Sequence, residues 1–275
     1  MFQMENTTPS IERVPSNNRD SGVIIFMHLQ KTAGTTFSKI LETLYKKEEV
    51  FNIEGRAFRE SIRRFKAIPE SLRNQYNVIK GHMFFGLHES ISRPFRYMTI
   101  LREPLARVIS NYYMALERPR FPFHDEIVKM TFEQFMHFGE LPALDNGMTR
   151  MICGCDLDCA PYGCCTSDML EKAKDNVRNH FLIGLTERFD ESLVFFKHVL
   201  DWDDVPTYEQ YNITKSKPAD VCIEENSLRS VEKYIELDRE LYNFCVEVYN
   251  NQINRMDEAF FEEVQAYVNK KEGKM

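Results

Sequence analysis

The sequence predicts an α/β fold, a parallel β-sheet flanked by helices, followed by a helical C-terminal region. Three observations carry that expectation. Short apolar runs alternate with amphipathic segments of helical period. The connections between those runs are long enough to hold crossover helices, which parallel strands require. From Ser227 onward the chain reads as almost continuous helix.

Each element has its own signal. "VIIFM" (23–27) is a short apolar run with the look of a buried strand. The next helix is expected to start near Thr35, with Phe37, Ile40, Leu41 and Leu44 at helical spacing. Residues 56–66 read as a basic amphipathic helix, "YNVIK" (76–80) as a second strand and "YMTIL" (97–101) as a third. "REPLARVISNYYMAL" follows, with Pro104 just inside a helix start, where a missing N–H costs nothing. "DMLEKAKDNV" is helical, "HFLIG" (180–184) is a fourth strand, and "TERFDESLVFFKHVL" is a helix with Thr186 as its expected N-cap.

In such sheets ligands sit beyond the carboxyl ends of the strands, at helix N-termini. Three strand ends carry suggestive residues: "HLQKTAGTT", "KGH" and "REP". The first has the parts of an oxyanion cradle. Ala33 and Gly34 permit close backbone approach, Thr35 and Thr36 offer hydroxyls at a helix start, and Lys31 adds a mobile charge. It does not spell the nucleotide-triphosphate loop G-x-x-x-x-G-K-[ST], because the lysine precedes the glycine. No apolar run ending in a magnesium-holding acid stands out either. The loop is expected to hold a phosphate-like group without a metal.

Together, "HLQKTAGTTF", the "GH" at 81–82, "TILREPLARVISNYY" and "GLTERFDESL" (184–193) resemble the sulfotransferases that use 3′-phosphoadenosine-5′-phosphosulfate (PAPS). The nearest group is the heparan sulfate O-sulfotransferases and their soluble bacterial-type relatives. The resemblance covers roughly residues 22–200 and implies a P-loop-type sheet. It implies that Lys31, Thr32, Ala33, Gly34, Thr35 and Thr36 hold the 5′-phosphosulfate, Lys31 also steadying the leaving oxygen. It further implies that Arg102 and Ser110 bind the 3′-phosphate that distinguishes PAPS from ATP. The product would be 3′,5′-ADP. Arg107 is left open as a structural residue of the same helix.

An acceptor hydroxyl needs a base, and histidine is the expected one. Two candidates stand between the loops. His82 directly follows a strand and matches the "GH" of the 2-O group, so it is preferred; His88 resembles the "GLH" of the 6-O group. Glu89 is a candidate to orient or replace either. His28 is read as a packing residue. Lys215 and Lys217, in "YNITKSKPA", are weaker candidates to cap the nucleotide.

The composition narrows the partners. A formal net charge of -7 argues against nucleic acid and against a long polyanionic glycan, which favours a small-molecule or sugar acceptor. Transfer to an amine rather than a hydroxyl stays open. No stretch reaches the roughly 20 apolar residues of a membrane span. Residues 1–20 are expected to be a disordered lead-in without an apolar leader core, and residues 21–275 a single sulfotransferase domain, placed by default in the cytoplasm as monomer or homodimer.

Five of the seven cysteines fall in "CGCDLDCAPYGCC" (153–165), read as an insertion. The spacing is not that of paired zinc knuckles, and three readings stand: a loop without cofactor, one or two disulfides, or a metal site. Two other functions compete with the sulfotransferase. One is a P-loop kinase or nucleotide-binding protein, and the other a non-catalytic binding protein with a metal or redox loop.

Overall fold

The computed structural model describes residues 22–209, 211 and 225–273. The expected lead-in and the segment holding Lys215 and Lys217 lie outside the described residues. Five parallel strands form the sheet: β1 Val23–Met27, β2 Val50–Ile53, β3 Val78–Gly81, β4 Phe95–Leu101 and β5 Phe181–Leu185, in the order β2-β3-β1-β4-β5. β2 is an addition to the four strands expected. Its four residues follow a turn of acidic and basic residues, and only the first and last, Val50 and Ile53, are buried, as suits an edge strand.

Helices of seven residues or more are numbered in chain order: α1 Gly34–Leu44, α2 Phe58–Ala67, α3 Pro104–Glu117, α4 Gly147–Cys153, α5 Ser167–His180, α6 Phe189–Leu200, α7 Glu225–Val231, α8 Glu236–Ile253 and α9 Glu258–Lys271. Both faces of the sheet are covered, so β1 and β5 are buried along their whole length. Phe37 of α1 packs between Phe26 of β1 and Phe196 of α6. A second apolar cluster lies under α3, where Val108, Ile109 and Ala115 meet Ile127, Phe135 and Ile235.

The order of strands matters for function. From β1 the chain winds outward to β2 and back to β3, then crosses to β4 and β5 on the other side. The carboxyl ends of β1 and β4 therefore flank the switch point, where the connections leave in opposite directions and open a crevice.

One sequence expectation changes, and one of the three readings of the cysteine segment, a disulfide, is the one seen. Thr186 does not cap a helix: its hydroxyl donates to the Leu101 carbonyl at 2.8 Å, and α6 begins three residues later with Arg188 in the cap position. In the cysteine segment, which joins α4 to α5, one disulfide forms between Cys155 and Cys159. Cys153, Cys164, Cys165 and Cys245 are thiols. The segment is organised by the buried Arg150, which pairs with Asp145 and donates to the carbonyls of Ala160 and Pro161.

Candidate active site

The ends of β1, β3 and β4 open into one cleft of about 1310 Å³. Lys31, Ala33, Gly34, Thr35, Thr36, His82, Arg102 and Ser110 all line it. Three strand ends separated widely in sequence thus meet at one place, as their chemistry suggested.

The loop after β1 is bent by two non-glycine residues in the left-handed region, Lys31 (φ 66°) and Ala33 (φ 62°). Such conformations cost about 1–3 kcal/mol each and persist only where surrounding contacts enforce them. Two contacts are on hand. The Thr32 hydroxyl donates to the Leu29 carbonyl at 3.0 Å, and the Arg102 guanidinium donates to the Lys31 carbonyl at 3.1 Å. Thr32 is 1% exposed and does not line the cleft, so its hydroxyl staples the loop rather than facing a ligand. Gly34 is required for another reason: a Cβ there would lie 2.0 Å from Cδ2 of His28. No side chain of the described residues caps α1. An uncapped helix start, with its N–H groups and dipole, is the arrangement that receives anions.

Positive charge gathers at this loop. Burial, then Arg118 and Arg102, push the Lys31 amine down to about 8. Its Nζ lies 3.5 Å from the Met114 thioether sulfur. Burial is likewise the main cause lowering Arg102. Beside them on α3, Ser110 is buried, and so is Asn111, whose Oδ1 has no hydrogen-bond partner among the described residues. Arg107, one turn away, has a different role. It is buried and donates to Asp238 Oδ2 at 2.9 Å and to the Ala143 carbonyl at 2.9 Å, tying α3 to α8.

The two histidine candidates separate cleanly. His82 lines the cleft, with Nδ1 2.6 Å from the His28 carbonyl and its ring stacked on the His28 ring at 4.3 Å. A carbonyl only accepts, so Nδ1 must carry the proton and Nε2 must be the unprotonated, basic nitrogen. Burial lowers the pKa of His82, which keeps it neutral and ready to accept. His28 is lowered further by burial and by His82 and Lys80. His88 stands away from the cleft lining. Its ring sits among Phe85, Phe95 and His180, with Nδ1 3.2 Å from the Tyr97 hydroxyl. Glu89 does not line the cleft either.

Asn111, Arg118 and Arg120 also line the cleft and were not singled out from the sequence. Asn111 adjoins Ser110, and the two arginines follow the end of α3; only the fold turns that end toward Lys31.

A small-residue loop at a helix start, a second cationic strand end and a histidine thus line one cleft of a parallel α/β sheet. The chain matches the sulfotransferase family model over residues 17–254, and it belongs to that family. Human heparan-sulfate 6-O-sulfotransferase 1 is 24% identical over 84% of this chain and 66% of its own length. Mouse heparan-sulfate 6-O-sulfotransferase 3 is 23% identical over 87% of this chain and 60% of its own. The chain thus spans less than two thirds of the length of these two relatives. A crystal structure of mouse sulfotransferase SULT7A1 complexed with PAP aligns with a TM-score of 0.41 and 13% identity, covering 93% of this chain and 86% of that one.

Proposed function

We propose that the protein transfers the sulfuryl group of PAPS to a hydroxyl of a small-molecule or carbohydrate acceptor, with His82 as general base. The observation that carries this reading is the His82 ring. Its Nδ1–H is committed to the His28 carbonyl, leaving Nε2 basic in the cleft that also holds Lys31 and Arg102. The residues fit an anionic donor, because an anion joining the lysine, pushed down to about 8 by burial and by Arg118 and Arg102, raises its pKa again and holds it charged.

When bound, PAPS supplies an activated sulfuryl group whose departure places charge on the bridging phosphate oxygen. Lys31 and the start of α1 stabilise that developing charge more than the ground state, which is what lowers a barrier. Arg102 and Ser110 hold the 3′-phosphate, the guanidinium fork suiting two phosphate oxygens at once. His82 Nε2 takes the proton of the attacking hydroxyl. This scheme needs no metal and gives His88 no part.

No helix among the described residues is long and apolar enough to cross a membrane. The Cys155–Cys159 disulfide favours an oxidising compartment over the cytoplasm expected from the sequence. The test of the reading is release of 3′,5′-ADP from PAPS with a panel of hydroxyl acceptors, with and without a chelator. Acceptor-dependent release that ignores the chelator and is lost in His82→Gln is expected. Magnesium-dependent turnover of ATP in its place would move the kinase reading ahead.

A further inference from the structure

The wall of the cleft beside His82 has a composition that the donor half does not explain. Gly55 abuts the base so closely that a Cβ there would lie 2.6 Å from Cδ2 of His82. Three residues on, Phe58 of α2 lines the cleft with its ring 5.7 Å from that of Phe84, two residues past His82. Met83 and Met151 complete this wall, with Met151 held to the strand-end segment by the Phe85 N–H donating to its carbonyl at 2.8 Å. Phe58, Phe84 and Met151 are half-buried, so part of each apolar surface remains open in a cleft they all line.

Among the described residues, the arginines of α2 beside this wall pair with acids, while Arg118 and Arg120 line the cleft from the end of α3. Arg59 binds Asp156 and Asp158 at 2.6 and 2.5 Å, Arg63 binds Glu60 at 2.6 Å, and Arg64 lies 3.6 Å from Glu54. Arg150, which also lines the cleft, is buried on Asp145 and on loop carbonyls. A polyanionic chain would need uncompensated positive charge along its path, and this wall pairs its cations with its own acids. Thioethers and phenyl rings in its place suit an uncharged, apolar face.

We infer that the acceptor is an uncharged hydroxyl compound with an apolar ring next to its hydroxyl, seated on Phe58, Phe84 and Met151, with the buried Met83 behind them. This rests on the sulfotransferase reading and narrows its acceptor, away from the heparan-type glycan in the relatives' names. The step balances. The acceptor oxygen bonds to sulfur as the bond from sulfur to the bridging phosphate oxygen breaks. His82 Nε2 takes the hydroxyl proton, and a sulfate ester leaves with 3′,5′-ADP.

The probe is 2-naphthol, compared with a 6-O-desulfated heparan polysaccharide, in turnover with PAPS and in calorimetric binding to the 3′,5′-ADP complex. Naphthol should bind that complex and turn over, with its KM raised about tenfold in Phe58→Ala and Phe84→Ala while the KM for PAPS is unchanged. Phe58→Leu, which keeps the packing, should sit between the two. Turnover of the polysaccharide with naphthol inert, indifference of the naphthol KM to the phenylalanines, or no naphthol binding to a protein that does bind 3′,5′-ADP would each overturn the inference. Loss of 3′,5′-ADP binding itself would instead sink the transferase reading beneath it.

Discussion

Two central strands, β1 and β4, each run almost directly into a helix, and the two helix starts are finished in opposite ways. At α3 the chain caps itself. Glu103 accepts from the Leu105 and Ala106 N–H groups at 3.0 and 2.6 Å, and Pro104 removes another donor. At α1 no such carboxylate is supplied, and the cap position is Ala33 in a left-handed conformation. A helix start already closed by its own carboxylate cannot recruit an external anion with its backbone. The proposed function accordingly gives the β4 side of the donor to side chains, Arg102 and Ser110, and the β1 side to backbone. The difference teaches that an open helix start with a small-residue loop suits an external anion, whereas a self-capped start does not.

Neither helix start removes the acceptor proton, and the largest effect should come from the residue that does. His82→Gln should lower kcat by about 10²–10⁴ with 3′,5′-ADP affinity retained, whereas His88→Gln should leave both near wild type. Because burial lowers the pKa of His82, the acid limb of the rate profile should fall below pH 6.5. A profile whose acid limb moves with His88 instead would reverse the assignment.

Giving α1 the carboxylate that α3 has is the sharpest test of the comparison. Ala33→Asp, at a left-handed position that Asp tolerates, should weaken 3′,5′-ADP binding about a hundredfold without unfolding the protein. Unchanged affinity in calorimetry would mean that the loop is not the anion site.

Lys31 offers a test through stability. Its folded pKa, pushed down to about 8, lies below the roughly 10.4 of an unfolded lysine. Between those values the unfolded chain holds a proton that the folded one has lost, so stability should rise as pH climbs from about 8 to about 10.4. Denaturation curves across that window should show the rise, Lys31→Met should remove it, and bound 3′,5′-ADP should flatten it.

The smallest effect belongs to the closed helix start. Glu103→Ala should cost about 1 kcal/mol of stability by thermal melting and leave 3′,5′-ADP affinity almost unchanged.

Much of this was legible in the sequence, for identifiable reasons. β1, β3, β4 and β5 stood out because buried parallel strands read as continuous apolar runs, and each was placed within two residues of its observed bounds. The edge strand β2 was missed because "VFNI" is four residues long and only half-buried. The anion loop was legible through its order of lysine, small residues and threonines. What it could not tell was that Thr32 faces inward to Leu29 while its neighbours face the cleft. His82 directly follows β3 and was preferred on that position, with His88 six residues further on. What spacing could not show was the His28 carbonyl that the fold brings to His82 Nδ1 from 54 residues earlier in the chain. The same limit hid Arg118 and Arg120, which reach the cleft because of where α3 ends.

The central claim is that α1 and Arg102 divide one donor between them, the first taking its 5′ end and the second its 3′-phosphate. Calorimetric titration of the wild type and Arg102→Ala with 3′,5′-ADP, 5′-ADP and magnesium-ATP tests it most directly. The wild type should bind 3′,5′-ADP well above 5′-ADP, and Arg102→Ala should erase that preference while keeping the weaker 5′-ADP binding. Tighter binding of magnesium-ATP with indifference to the 3′-phosphate would contradict the account.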